Sequence, residues 1–254
     1  MPISLTLDLE DRARLRVHRA TSFARFGVDA FVTDRFGGVS KGPYESLNLA
    51  LHVGDDPDDV FENRRRVAEA IDVSPGQLVF VDQVHGDHIA EAAVHEIGER
   101  ADGIVSSRSD LALAIMVADC VPILLVDEHS SAFAVVHAGW RGLRGNVVAN
   151  AVARFSDPST VHALVGPSIS VERYQVGPEV ADFFRDLPGA VHPDQGDRSR
   201  LDLRTVAALL LVACGLVDQQ ITVCEESTDD ARLFYSARGE QPCGRFALVA
   251  RRPS

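Results

Sequence analysis

The chain has 254 residues, 37 of them acidic against 25 basic, for a formal net charge of −12. With 46% hydrophobic and 24% charged residues it has the make-up of a soluble globular protein able to bury a sizeable core. The acidic balance argues against a nucleic-acid-binding protein, which would carry a basic stripe, though not against a local cationic pocket for an anion. Lys41 is the only lysine, so nearly every positive charge is a guanidinium, a group suited to two-pronged contacts with phosphate or carboxylate. The four cysteines, Cys120, Cys214, Cys224 and Cys243, form no CxxC pair, which fits a reducing compartment with thiols free or bound to metal. The N-terminus lacks a signal peptide's basic and apolar regions, and no apolar run reaches the ~20 residues needed to span a bilayer. A cytoplasmic protein is expected, monomer or homodimer, with no membrane or nucleic-acid partner.

No repeat, low-complexity tract or Pro/Ser-rich linker divides the chain, so residues 1–254 are expected to form one domain. Residues 28–33 read as a strand ending at the Arg35-Phe36-Gly37-Gly38 turn. Asp56-Pro57 opens a helix, with Val60, Val67, Ala68 and Ile71 on one face. Residues 78–81 form a short apolar strand leading into Gln83-Val84-His85. The runs 111–117, 123–126 and 132–136 are almost continuously apolar, as expected of strands covered on both faces. Cys120 follows the first of these and His137 the last. A helix is expected over 142–155, a strand over 161–165, a helix from Gly177-Pro178 and an apolar-faced helix over 203–214. Strands at 221–224 and 246–249 would close the sheet. This order predicts an α/β or α+β fold, a single layered domain with central mixed β-sheets flanked by helices.

The chemistry gathers on His85, Cys120 and His137, each beside an apolar strand where a rigid scaffold can present it to a cleft. Two imidazoles and a thiolate are a three-ligand set, the number that catalytic zinc keeps while leaving a position for water or substrate. The bland alternative is a small buried cysteine and two hydrogen-bonded histidines, because separations of 35 and 17 residues match no compact zinc motif. Asp119, beside Cys120, could carry a proton or orient a substrate, or could simply form a turn. Gly139-Trp140-Arg141-Gly142-Leu143-Arg144 links a strand to a helix, and Arg141 and Arg144 there would suit phosphate. In the first third, Arg35 could hold an anion and Asn48 could hydrogen-bond a sugar or base, unless both serve turns.

Taken together, FGGVSKGPYESLNLALHVGDDP, QVHG, VADCVPILLVD, VVHAGWRG and GPSISVERYQVGPEV resemble, in order and spacing, the YfiH-type laccase-domain family. The resemblance covers about residues 31–249. That family was long labelled multicopper polyphenol oxidase and is now described as purine nucleoside phosphorylase. The resemblance implies zinc on His85, Cys120 and His137, a layered α/β fold, and a pocket around Arg35, Asn48, Asp119 and Arg141. It implies phosphorolysis of adenosine, inosine and methylthioadenosine, with phosphate as co-substrate, and deamination of adenosine. Asp119, Cys120 and Arg35 are then the expected catalytic residues, with Asn48, Arg141 and Arg238 binding substrate. The family's Phe-Ser-Tyr-Arg-Arg segment is here Phe234-Tyr235-Ser236-Ala237-Arg238, so Ala237 replaces one arginine while Arg238 keeps the other.

Other readings compete. A copper polyphenol oxidase would need about ten histidines in paired HxH motifs; nine are present and none is so paired, although copper would bind a His₂Cys site. A cysteine hydrolase would use Cys120 as nucleophile with His137 or His85 as base. An amidase editing peptidoglycan precursors would use the same site, and an interaction protein would use none of it.

Overall fold

The computed structural model describes residues 1–92 and 99–253. Two β-sheets lie face to face at its centre. The first has seven strands, in the order Ile3–Leu5, Ile221–Cys224, Val161–Val165, Val121–Asp127, Phe133–Ala138, Gly103–Ser106 and Ile89–Glu91. The second has six: Asp8–Arg12, Leu15–Arg19, Asp29–Thr33, Phe246–Arg251, Ala112–Val117 and Leu78–Val79. Both mix parallel and antiparallel pairs. A third, small sheet joins Gln175–Val176, Ser199–Leu201 and Val191–Pro193.

The alternation of side chains along a strand explains the continuous apolar runs. On Ala112–Val117, residues Leu113, Ile115 and Val117 face the other sheet. Ala112, Ala114 and Met116 face outward, where the helix Pro57–Ala70 lays down Val67 and Ala68. On Val121–Asp127, Leu124 and Val126 pack between the sheets, while Ile123 and Leu125 meet Val206, Ala207 and Leu211 of the helix Leu203–Ala213. The layers run helix, sheet, sheet, helix, an α+β architecture in which both faces of each central strand are dry. Truncating a fully buried side chain such as Ile115 to alanine would cost about 2–5 kcal/mol.

Both long helices start as the sequence indicates. The Asp56 carboxylate accepts from Asp58 N at 2.9 Å ahead of Pro57, and Asp202 accepts from Arg204 N and Thr205 N, each at 3.0 Å. The helix expected over 142–155 is instead two short ones, Trp140–Arg144 and Val147–Val152. Asn146 between them is left-handed, with φ of 73°, a conformation asparagine tolerates and one that breaks a helix. The helix from Pro178 stops after one turn, at Ala181. His137 lies within its strand rather than after it.

Two connections between the sheets position the site. Residues 80–88 leave the six-stranded sheet after Leu78–Val79 and enter the seven-stranded one at Ile89. Residues 118–120 make the same change between Ala112–Val117 and Val121–Asp127. His85 and Cys120 therefore sit where the chain passes between layers, and His137 lies on a strand that pairs directly with the strand after Cys120.

Candidate metal centre

The Cys120 sulfur and one nitrogen of each of His85 and His137 all lie within 4.8 Å of one another. The two imidazoles meet edge to face, their centres 4.7 Å apart. His137 is buried, Cys120 half-buried and His85 exposed, so the group forms one wall of an open cleft of about 290 Å³. Among the described residues it is the one group of three such donors close enough to share an ion.

The backbone at both connections is held under strain. His85 has φ of 58° and Asp119 φ of 86°, a region that costs a non-glycine residue roughly 1–3 kcal/mol unless its surroundings fix it. At His85 the fixing group is Asp102, a fully buried carboxylate. It accepts from His85 N at 2.9 Å, Gly86 N at 2.6 Å and Val84 N at 3.3 Å, and its Oδ1 lies 2.8 Å from His137 Nδ1. Gln83 clamps the same loop to the neighbouring strand: its amide donates to Met116 O at 2.7 Å and accepts from Met116 N at 2.9 Å. At Asp119, Oδ1 accepts from the Thr228 hydroxyl at 2.6 Å and Oδ2 from Arg238 N at 2.7 Å. Its carbonyl accepts from Ile169 N at 3.0 Å.

Gly139, next to the histidine strand, makes room for the donors. A Cβ there would lie 2.9 Å from the Cys120 sulfur and 3.4 Å from the His85 ring.

Electrostatics prepare the cysteine. Burial pushes its thiol up, but the charge of His137 and hydrogen bonds with His137 and His85 outweigh this and bring it down to about 6. For His137, burial pulls down, while the Cys120 charge and the Asp102 bond carry it up to about 9. A thiolate is the form that binds metal, and an imidazole bonded through Nδ1 to a carboxylate turns its Nε2 outward. A His₂Cys donor set so arranged fits a borderline-soft ion such as zinc.

The cleft is also lined by His52, Gln83, Met116, Asp119, Trp140, Arg141, Tyr174, Ala237, Arg238 and Arg245. The structure thus brings Asp119, Arg141 and Arg238 to the three donors, with Ala237 beside them. Asp119 faces the cleft with both oxygens already bonded. Arg141 lies over the Trp140 ring at 4.4 Å, and Arg238 lies over Tyr174 at 5.0 Å while donating to Gln175 O at 3.0 Å. Arg144 is drawn away from the cleft onto the Phe183 ring at 3.6 Å.

Arg35 and Asn48 do not line the cleft. Arg35 stacks on Tyr235 at 4.7 Å and pairs with Glu240 at 2.9 Å. Asn48 is fully buried; its amide binds Ala50 O and Asp55, and its Oδ1 accepts from Ala50 N and Arg245 N. In each case a nearby acid or open backbone group claims the side chain. Conversely, Asp102, His52, Gln83, Tyr174 and Arg245 are placed at the site without having been singled out. Gln83, His52 and Tyr174 stand within the quoted motifs, whereas nothing local marks Asp102.

A layered α+β protein with a His₂Cys pocket at its inter-sheet connections is the class that fold and site define. Residues 29–252 match the family model described as multi-copper polyphenol oxidoreductase laccase, and the chain belongs to that family. It is 39% identical over 226 residues to a purine nucleoside phosphorylase of Corynebacterium glutamicum, covering 85% of this chain and 91% of that one. It is 34% identical over 266 residues to the purine nucleoside phosphorylase YlmD of Bacillus subtilis, covering 94% and 93%. The crystal structure of YlmD from Geobacillus stearothermophilus superposes with a TM-score of 0.91 at 30% identity, over 98% of this chain and all of that one.

Proposed function

We propose that this chain, as one cytoplasmic catalytic domain, is a zinc-dependent purine nucleoside phosphorylase. The reading takes its support from relatives of that name and from the clustered His85, Cys120 and His137. Those three side chains would hold the zinc, whose positive charge would polarise a bound substrate oxygen or nitrogen.

In phosphorolysis a phosphate oxygen bonds to the anomeric carbon while the C–N glycosidic bond breaks. Its electron pair goes to the purine, which takes up a proton. The residues of this chain orient and stabilise those partners. Arg141 and Arg238 pair with no carboxylate among the described residues and offer N–H groups to the substrate. Burial pushes the Tyr174 phenol up to about 12, which keeps it protonated at neutral pH as a hydrogen-bond donor. Asp119, held by Thr228 and Arg238 N, fixes the Arg238 backbone against the cleft. Ala237 leaves open the space that an arginine would fill, so the charge facing the substrate there comes from Arg238 alone of the two positions.

The family model's older description, a multicopper laccase, fits less well, because one three-donor group among the described residues is too few for several coppers. The test is to incubate zinc-loaded protein with adenosine, with and without phosphate, and separate the products. Adenine formed only with phosphate supports the reading. Inosine formed without phosphate would make deamination the main reaction. The absence of both products would count against the nucleoside reading and favour the peptidoglycan-precursor amidase at the same metal site.

A further inference from the structure

The residues lining the cleft fall into two sets, one grouped by Arg141 over Trp140 and Arg238 over Tyr174, the other by Gln83 bonded to Met116. In the first, Tyr174 feels the charges of Cys120, Arg238, Asp119 and Arg141, and Trp140 and Tyr174 supply flat apolar rings. In the second, His52 feels Arg245, Asp82, Arg64 and His85, and the rest of the lining is Gln83, Met116 and Arg245, with no Phe, Tyr or Trp among them.

Arg245 is built in rather than laid on the surface. Its backbone N–H donates to Asn48 Oδ1 at 2.9 Å, and its carbonyl accepts from Leu49 N at 3.1 Å. Its Nη1 is anchored on Cys243 O and Gly244 O, both at 2.9 Å, with the Cys243 sulfur at 3.2 Å. Its Nε and Nη2, the two donors of one guanidinium edge, bond no protein group among the described residues. That edge is the fork that matches two oxygens of a phosphate.

Arg64 stands behind it, joined through the same residue: its Nε donates to Leu49 O at 2.9 Å, and its Nη2 reaches the Met116 sulfur at 3.8 Å. It lies over the Phe80 ring at 4.1 Å and has no carboxylate partner among the described residues. Burial alone pulls its guanidinium down to about 10, the mark of a charge short of a counter-ion. Burial, followed by Arg245, also lowers His52. Arg141 and Arg238 also lack carboxylates, but they lie over the Trp140 and Tyr174 rings, whereas the open edge of Arg245 stacks on no ring among the described residues. In a chain with a formal charge of −12, that edge, backed by Arg64, suits an anion from outside.

We propose that inorganic phosphate binds at this second set, gripped by the Nε/Nη2 edge of Arg245 beside His52, with Arg64 adding charge from behind. The nucleoside then takes the first set, Trp140, Tyr174, Arg141 and Arg238. This rests on the phosphorolysis reading and divides its two substrates between two sets of residues. Phosphate would meet the anomeric carbon from the His52 side, and the purine would leave towards the aromatic side.

The experiment is steady-state kinetics on the zinc-loaded enzyme with phosphate and adenosine varied in turn, joined to calorimetric titration with inorganic phosphate alone. Arg245→Gln should raise the KM for phosphate roughly 10- to 100-fold, the effect of losing a charge-assisted fork, with the KM for adenosine nearly unchanged. Arg245→Lys, which keeps the charge but not the fork, should recover part of the loss. Arg141→Gln should do the reverse, moving the KM for adenosine. An unchanged KM for phosphate in Arg245→Gln, or a rise in Arg141→Gln instead, overturns the assignment while leaving phosphorolysis intact. If the wild type gives no phosphate-dependent product, the phosphorolysis reading fails, and the calorimetry still decides the site. Phosphate heat lost in Arg245→Gln and kept in Arg141→Gln upholds it; heat kept in both, or no heat at all, overturns it.

Discussion

Asp102 Oδ1 lies 2.8 Å from His137 Nδ1, and the same oxygen accepts the backbone N–H of His85 at 2.9 Å. One buried carboxylate therefore sets both histidines, fixing the tautomer of one and the strained backbone of the other. Burial pushes Asp102 up, but the His137 bond and the Gly86 N–H outweigh it and hold it below the ordinary carboxylate value. Asp102→Asn should keep the fold by circular dichroism while weakening zinc binding about 10- to 100-fold, measured against a competing chelator. Unchanged affinity would mean that Asp102 only caps the loop.

Gly139 tests the packing around the donors. Gly139→Ala would push a methyl group against the Cys120 sulfur, 2.9 Å away, and should lower zinc affinity by at least about 10-fold. Gly76→Ala, where an added Cβ meets nothing within 4 Å, should leave it unchanged. Metal content after dialysis against a weak chelator separates the two.

Metal-free protein should show a pH-dependent metal affinity. Below about 6 Cys120 is a thiol, and up to about 9 His137 keeps a proton, so zinc must displace both. From the Cys120–His137 pair, zinc uptake should release one proton more below about 6 than between 6 and 9, with affinity rising as pH rises and levelling above 9. Calorimetry in buffers of different ionisation heat counts the protons. In the metal-free state, thiolate absorbance near 240 nm should fall as pH drops through about 6 and be absent in Cys120→Ser.

Asn48 separates a structural from a substrate role. Its side chain satisfies the N–H groups of Ala50 and Arg245 in a site with no exposure. Asn48→Ala should cost roughly 2–4 kcal/mol by denaturant unfolding, because buried donors lose their acceptor. A raised KM for nucleoside without loss of stability would instead favour the sugar-contact reading.

Much of the layering was legible in the sequence, because strands covered on both faces must be apolar throughout, as at Leu113, Ile115 and Leu124. The three donors were legible as motif residues beside those strands. Asp102 was not, since its link to His137 across 35 residues depends on the antiparallel pairing of Gly103–Ser106 with Phe133–Ala138. The fates of Arg35 and Asn48 were hidden for a related reason. A polar side chain in a loop can serve substrate or backbone, and Glu240 and Arg245 N, which decide between them, come from the far end of the chain. The break at Asn146 interrupts an apolar pattern that the sequence alone continues.

The most direct measurement is zinc content per chain together with phosphate-dependent adenine formation, compared between the wild type and Cys120→Ser. The account predicts about one zinc and measurable turnover in the wild type, and loss of both in the variant with its fold retained. A variant that kept its zinc and full turnover would contradict the assignment of Cys120 to the metal centre and of the reaction to this cleft.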